Sequence, residues 1–221
     1  MSSADPLRLF PEGHRHAPLA PLLLALTFVG GMVDAVSFLS LGRVFVANMT
    51  GNVAFLGFAL AGFTALSATA SLAALAAFLV GAAVVGRAWP RRFEGAGLLA
   101  QVVGVQLALV GVALACQTGS AGRYAVLLPL ALGMGMQNGV VHRLAVPDLT
   151  TTVVTRTLAG LAADPWRPAG PRRVLSVGCL FLGALVGAEI NLGPGPSWTL
   201  TAALPPLAAI AVTAVPLARR P

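Results

Sequence analysis

Asp34 stands about two thirds of the way along an apolar run, residues 19–41, in a chain of 221 residues. A carboxylate in such a run is costly to desolvate and marks a position facing an interior or a water-filled cavity. Two roles stand open for it. It relays a proton or cation or touches a solute, or it is the structural partner of Arg156 or of a half-helix. Asn48, Thr50 and Asn52 interrupt a second apolar stretch, 44–64, and Thr151, Thr152, Thr155 and Arg156 interrupt a third, 149–163. Asn, Asp and Thr are good N-caps, so each interruption can start a half-helix. Unpaired N–H groups and partial positive charge at such a start favour an anion or a polar neutral solute. Asp148, Thr152 and Arg156 follow one another at i, i+4 and i+8 on one helical face. Gln137 and Asn138 complete the candidate substrate- or ion-binding set of Asp34, Asn48, Thr50, Asn52, Gln137, Asn138, Thr151, Thr152, Thr155 and Arg156.

No catalytic set, metal site or cofactor is expected. His14 and His16 have no third ligand nearby, and Cys116 and Cys179 sit in apolar runs without metal or disulfide spacing. A lipid-modifying membrane enzyme needs clustered Asp, His or Lys near an interface. Only His142 and Asp148 approach that pattern. Glu189 reads as an interfacial, solvated carboxylate and Arg143 as a side chain reaching out to headgroups.

The elements that position these residues follow from composition. The chain is 57% hydrophobic and 10% charged, against about 25% charged in soluble domains, and its mean hydropathy is +0.86. Soluble globular and disordered classes are both excluded. All 14 basic residues are Arg, giving a formal charge of +7. In a membrane chain that excess belongs to cytoplasmic loops, with no nucleic acid implied. Six stretches, 19–41, 67–86, 96–116, 124–144, 172–192 and 198–217, are long enough for the bilayer core. With the N-terminus inside and the two interrupted stretches re-entering, 11 arginines fall inside and only Arg43 and Arg123 outside. Letting both interrupted stretches cross gives 8 inside and 5 outside. The positive-inside rule therefore predicts an all-α, six-span membrane protein, both termini cytoplasmic, in contact with the lipid bilayer. Residues 1–18 read as a cytoplasmic tail and 19–218 as a single membrane domain.

An internal repeat divides that domain near 19–117 and 124–218. Gly31-Met32-Val33-Asp34-Ala35-Val36 aligns with Gly135-Met136-Gln137-Asn138-Gly139-Val140 at an offset of 104. Phe78-Leu79-Val80-Gly81-Ala82 aligns with Phe181-Leu182-Gly183-Ala184 at 102 to 103, and 96–116 with 198–217 at 101 to 102. Three crossings per half turn the second half upside down, the inverted-repeat plan of many secondary transporters. Gly183-x-x-x-Gly187 reads as helix-packing spacing.

The strings Gly31-Met32-Val33-Asp34-Ala35 and Gly42-Arg43-Val44-Phe45-Val46-Ala47-Asn48-Met49-Thr50-Gly51-Asn52 resemble the signature of the bacterial YoaK-like family. Gly133-Met134-Gly135-Met136-Gln137-Asn138 and Thr151-Thr152-Val153-Val154-Thr155 resemble its second signature, with Arg156 where the family pattern has glycine. The resemblance covers nearly the whole chain after residue 18. It implies a small six-span membrane protein with a domain of unknown function, and brings no activity. The leading expectation is a secondary transporter or channel, not an enzyme, for a small polar or anionic solute bound at the midplane between two half-helices. A non-catalytic membrane partner is the alternative, ahead of a lipid-modifying enzyme. At 22.4 kDa the chain is small for a transporter and compatible with a homodimer.

Overall fold

The computed structural model describes residues 17–146, 154–163 and 169–218, with only the backbone described at 154–156, 161, 163 and 169. Most of the tail expected over 1–18, with His14 and His16, and the threonines at 151 and 152 lie outside the described residues. Among those described, every regular element is a helix. Helix α1 is Ala20–Ser40, α2 Met49–Leu60, α3 Ala68–Ala83 with a π-helical turn Val84–Ala88, and α4 Gly95–Thr118. Helix α5 is Arg123–Leu144, α6 Val154–Ala163, α7 Ala169–Leu192 and α8 Pro196–Leu217.

Six helices are long and apolar enough to cross a membrane: α1, α3 with its π-helical turn, α4, α5, α7 from Gly170, and α8. They fall on the six stretches expected from the sequence. The two interrupted stretches give short helices. At 1.5 Å per residue, α2 reaches about 18 Å and α6 about 15 Å, well short of a bilayer core of about 30 Å. Helix α2 starts at Met49 and stops at Leu60, where Ala61 N caps onto Gly57 O and Gly62 takes a positive φ of 98°. Ser67 caps α3 by accepting from Ala70 N at 3.2 Å. Helix α5 ends on Ala145 in the left-handed region.

Helices α1 and α5 are the most enclosed, while α3, α7 and α8 turn most of their surface outward. Leu72, Leu79, Phe181, Leu182 and Val212 are exposed there, as lipid-facing side chains should be. Lipid tails remove the hydrophobic drive between helices, so close packing must hold the bundle. Helix α1 packs along α7, α3 along α5 and α4 along α8; α4 also lies on α5, α1 on α8, α2 on α3 and α6 on α7. The two tightest crossings are made by glycine. A Cβ on Gly31 would lie 2.5 Å from Leu180 O and one on Gly187 2.7 Å from Met32 Cα, and one on Gly183 would strike Phe28 O. Across α3 and α5, a Cβ on Gly135 would strike Phe78 O and one on Gly81 would strike Leu132 O. The Gly183/Gly187 spacing thus serves packing, as expected.

Candidate functional site

Helix α1 ends at Ser40, and Gly42 (φ 106°) and Arg43 (φ 56°) turn the chain back on itself. Residues 44–48 then run beside the last turns of α1. What holds them there is Asp34. Its Oδ1 accepts from Val46 N at 2.9 Å and from Ala47 N at 2.7 Å. The loop has no secondary structure to pair these N–H groups, and a buried unpaired donor is costly. The carboxylate satisfies two of them and is itself stabilised by doing so. Asp34 is buried.

Asn52, in the first turns of α2, fixes the same loop from the other side. Its Oδ1 accepts from Phe45 N at 2.8 Å and its Nδ2 donates to Phe45 O at 2.6 Å, so one amide pairs with one residue's whole backbone. It is fully buried. The Phe45 ring stacks on Phe38 with centroids 5.0 Å apart and on Phe55 at 5.6 Å. Gly51 leaves room for that ring, since a Cβ there would sit 2.8 Å from it. The result is a cavity of about 270 Å³ between α1, α7 and the loop, walled by Asp34, Phe38, Phe45 and Asn48 and by Gly31 and Ala184.

The structure therefore brings together Asp34, Asn48 and Asn52 of the sequence-predicted set. Asn48 lines the cavity, but its side chain makes no capping bond to α2, contrary to the N-cap expectation. Thr50 is exposed and not part of the cavity wall. Gln137 lies elsewhere. Its Oε1 accepts from Gln106 Nε2 at 2.8 Å, and its Nε2 donates to Leu26 O at 3.4 Å, joining α4, α5 and α1. Asn138 donates from Nδ2 to Met134 O of its own helix at 2.9 Å. Thr155 and Arg156 belong to α6, but their side chains, with Thr151, Thr152 and Asp148, lie outside the described residues. An Asp34–Arg156 contact is thus outside what is described. Glu189 is exposed, while Asn191 two residues on pairs with Ser40 Oγ at 3.0 Å. Arg143 is anchored inward rather than reaching freely outward: Nη1 donates to Val85 O at 3.1 Å and Nη2 to Phe93 O at 3.2 Å.

Sequence reasoning missed Phe38, Phe45, Phe55 and Gln106. A cluster of phenylalanines flanking the interruption at 42–52 was the available signal for the first three. An amide inside the apolar stretch 96–116, which also holds Gln101, was the signal for the fourth.

The model of the family described as Protein of unknown function (DUF1275) matches residues 22–213. The chain belongs to that family. UPF0700 transmembrane protein YoaK of Bacillus subtilis (strain 168) is 31% identical over 147 residues, which is 65% of this chain and 65% of the relative. The match thus spans just under two thirds of the relative's own length. No solved structure matches. The YoaK-like resemblance and the multi-pass membrane class of this DUF1275 protein are thereby established. Its activity has to be argued from the cavity.

Proposed function

We propose that this DUF1275 protein is a secondary transporter or channel for a small polar solute, built from two inverted repeats in a bacterial inner membrane. The observation that carries the reading is the reciprocity of the packing. Exchange the first four helices with the last four, and α1–α7 becomes α5–α3, α1–α8 becomes α5–α4, α2–α3 becomes α6–α7, and α4–α8 returns to itself; α7–α8 is the contact that has no such counterpart, since α3 does not lie on α4 in the same way. The glycine approaches follow the same exchange: Gly31 on Leu180 matches Gly135 on Phe78, and Gly183 on Phe28 matches Gly81 on Leu132. The offsets are 104 for α1 against α5 and 102 for α3 against α7, close to those read from the sequence. Three spans per half make the repeats antiparallel, and such repeats place solute sites at their broken helices. Here the break between α1 and α2 carries the Asp34 cavity.

The cavity's chemistry refines the solute. Its described wall places the Asp34 carboxylate and the Asn48 side chain among apolar residues, which suits a cationic or neutral polar solute. An anionic preference requires Arg156 to enter the site. Purified protein screened by thermal shift against small amines, amino acids, sugars and anions at two pH values tests this. Amines or neutral polar solutes should raise the Tm, and only anions doing so would overturn the sign. Flux of the hit into proteoliposomes then tests transport; binding without flux would favour a non-transporting membrane partner. The orientation is tested separately by single cysteines in a background lacking Cys116 and Cys179. Exposed Ala65→Cys and Ala121→Cys should label with an impermeant reagent from outside intact cells, and Ala88→Cys should not.

A further inference from the structure

At the other end of α1, about 22 Å from Asp34 at 1.5 Å per residue, the described residues form a second polar site. The π-helical turn that ends α3 closes with Trp89 N donating to Val84 O at 2.7 Å. Val85 O is taken by Arg143, which also holds Phe93 O. One guanidinium from the last turn of α5 thus ties the end of α3 to the loop that enters α4. A guanidinium has five N–H donors, so Arg143 keeps capacity for a further acceptor.

Around it lies a cavity of about 260 Å³ lined by Gly86, Arg87, Trp89, Arg91, Glu94 and Arg143. Three arginines and one glutamate thus line it, and among the described residues no ion pair joins Glu94 to any of the three. A second cavity, of about 430 Å³, shares Glu94 and Arg143 as a wall and is otherwise lined by Leu19, Gly95, Leu98, Leu144 and Ala145. A cationic compartment and a leucine-walled compartment therefore adjoin across Arg143. Trp89 fixes the depth. Its ring is half-buried with Nε1 donating to Gln101 Oε1 at 3.2 Å, and indoles settle at the headgroup level of a bilayer.

We propose that this double cavity binds an anionic phospholipid. The phosphate sits among Arg87, Arg91 and Arg143, and the glycerol and first acyl carbons lie toward Leu98 and Leu144. Arginine is suited to the first task because its planar fork meets phosphate oxygens two at a time. The adjoining leucine walls distinguish an amphiphile from a free phosphate, which would use only the polar compartment. The arginine-rich end is also the end assigned to the anionic cytoplasmic leaflet by charge.

The test is native mass spectrometry and thermal shift of the full chain in mild detergent. The probes are phosphatidylglycerol, phosphatidylcholine and inorganic phosphate. Phosphatidylglycerol should give discrete adducts and raise the Tm, and phosphatidylcholine should do neither. Arg87→Gln with Arg91→Gln removes two charge-assisted contacts and should weaken phosphatidylglycerol binding about tenfold or more. Both arginines are exposed, so the pair should fold; Arg143 is avoided because it also holds two backbone carbonyls. Arg92→Gln is the control. It removes one charge beside Arg91, to be compared with Arg91→Gln alone, but Arg92 lies over the Phe93 ring and outside both cavities. Equal weakening by Arg92→Gln, or equal binding of phosphatidylcholine, would reduce the site to general attraction or an ordinary lipid shell. Inorganic phosphate matching phosphatidylglycerol at equal concentration would overturn the lipid assignment in favour of a soluble phosphate ligand.

Discussion

At the crossing of α1 and α7, Gly31 lies against Leu180 O and Gly183 against Phe28 O; at the crossing of α3 and α5, Gly135 lies against Phe78 O and Gly81 against Leu132 O. The two joints use the same residue type at corresponding places, because backbone-to-backbone contact admits nothing larger. Three residues beyond the first glycine of each joint the residue type changes. Asp34 reaches off its helix to hold the N–H groups of Val46 and Ala47, and the second half has Asn138, which donates from Nδ2 to Met134 O, at the corresponding position. A close-packed joint tolerates only one solution, so both copies keep it. The polar position beside the break differs in chemistry instead, because an ionisable side chain occupies only one of the two. Any proton or cation dependence should therefore arise in the first half.

The comparison breaks most visibly at the joints. Gly135→Val and Gly183→Val each force a branched side chain into a neighbouring backbone carbonyl. Each should cost about 3 kcal/mol, the upper end of ordinary overpacking, and lower the Tm or abolish monodisperse protein. Gly104, in the middle of α4, has open space where a Cβ would go. Gly104→Ala should be neutral or stabilising by up to about 1 kcal/mol. Equal behaviour of the two joint variants would extend the likeness from geometry to energetics. A tolerated valine at either joint would remove it.

The spans were legible from sequence because length carries them directly, and of the joints the Gly183-x-x-x-Gly187 spacing was legible while Gly31, Gly81 and Gly135 stood only as members of a repeat. A run of about 20 apolar residues admits few structures in a membrane, and the six long helices follow. The polar break at 44–52 was legible as a break for the same reason, while most of the one expected at 149–156 lies outside the described residues. What Asp34 binds was not. Its partners are the N–H groups of Val46 and Ala47, and a backbone donor has no residue type to betray it. Asn52 was legible as polar and buried, but its pairing with the backbone of Phe45 was hidden in the same way. Asn48 and Thr50 looked like caps by residue type, yet α2 begins with neither side chain bonded across its first turn.

The second effect in size separates the two roles of Asp34. Asp34→Ala leaves two buried N–H groups without an acceptor and should cost about 2–3 kcal/mol. Asp34→Asn keeps an acceptor oxygen in the same place. It should retain the fold with a far smaller fall in Tm, while removing any pH dependence of solute binding or flux. That outcome separates the scaffold role of the side chain from the role of its charge. Collapse of Asp34→Asn with recovery on adding Arg156→Gly would instead show that the carboxylate's essential partner is Arg156, in the second half.

The smallest effect probes a helix contact at which the two halves differ by buried glutamines. Gln137 corresponds to Val33 at the offset of 104, and Gln106 to Leu207 at 101; all four are buried. The α4–α5 contact thus holds a Gln106–Gln137 hydrogen bond of 2.8 Å where the α1–α8 contact has apolar side chains at the corresponding positions. The amide pair is incompletely satisfied, since Gln106 Oε1 has no hydrogen-bond partner. Interhelical hydrogen bonds in membranes contribute only about 1 kcal/mol, and leaving one partner unpaired costs more than removing both. Gln106→Leu and Gln137→Val should therefore each destabilise by about 1 kcal/mol. The double variant, which converts one contact into the residue types of the other, should return to within about 0.5 kcal/mol of the parent, a coupling of the kind double-mutant cycles resolve. If the double variant instead lost the sum of the two single changes, the amides would be acting separately. Gln137 would then owe its place to Leu26 O on α1 rather than to Gln106 on α4.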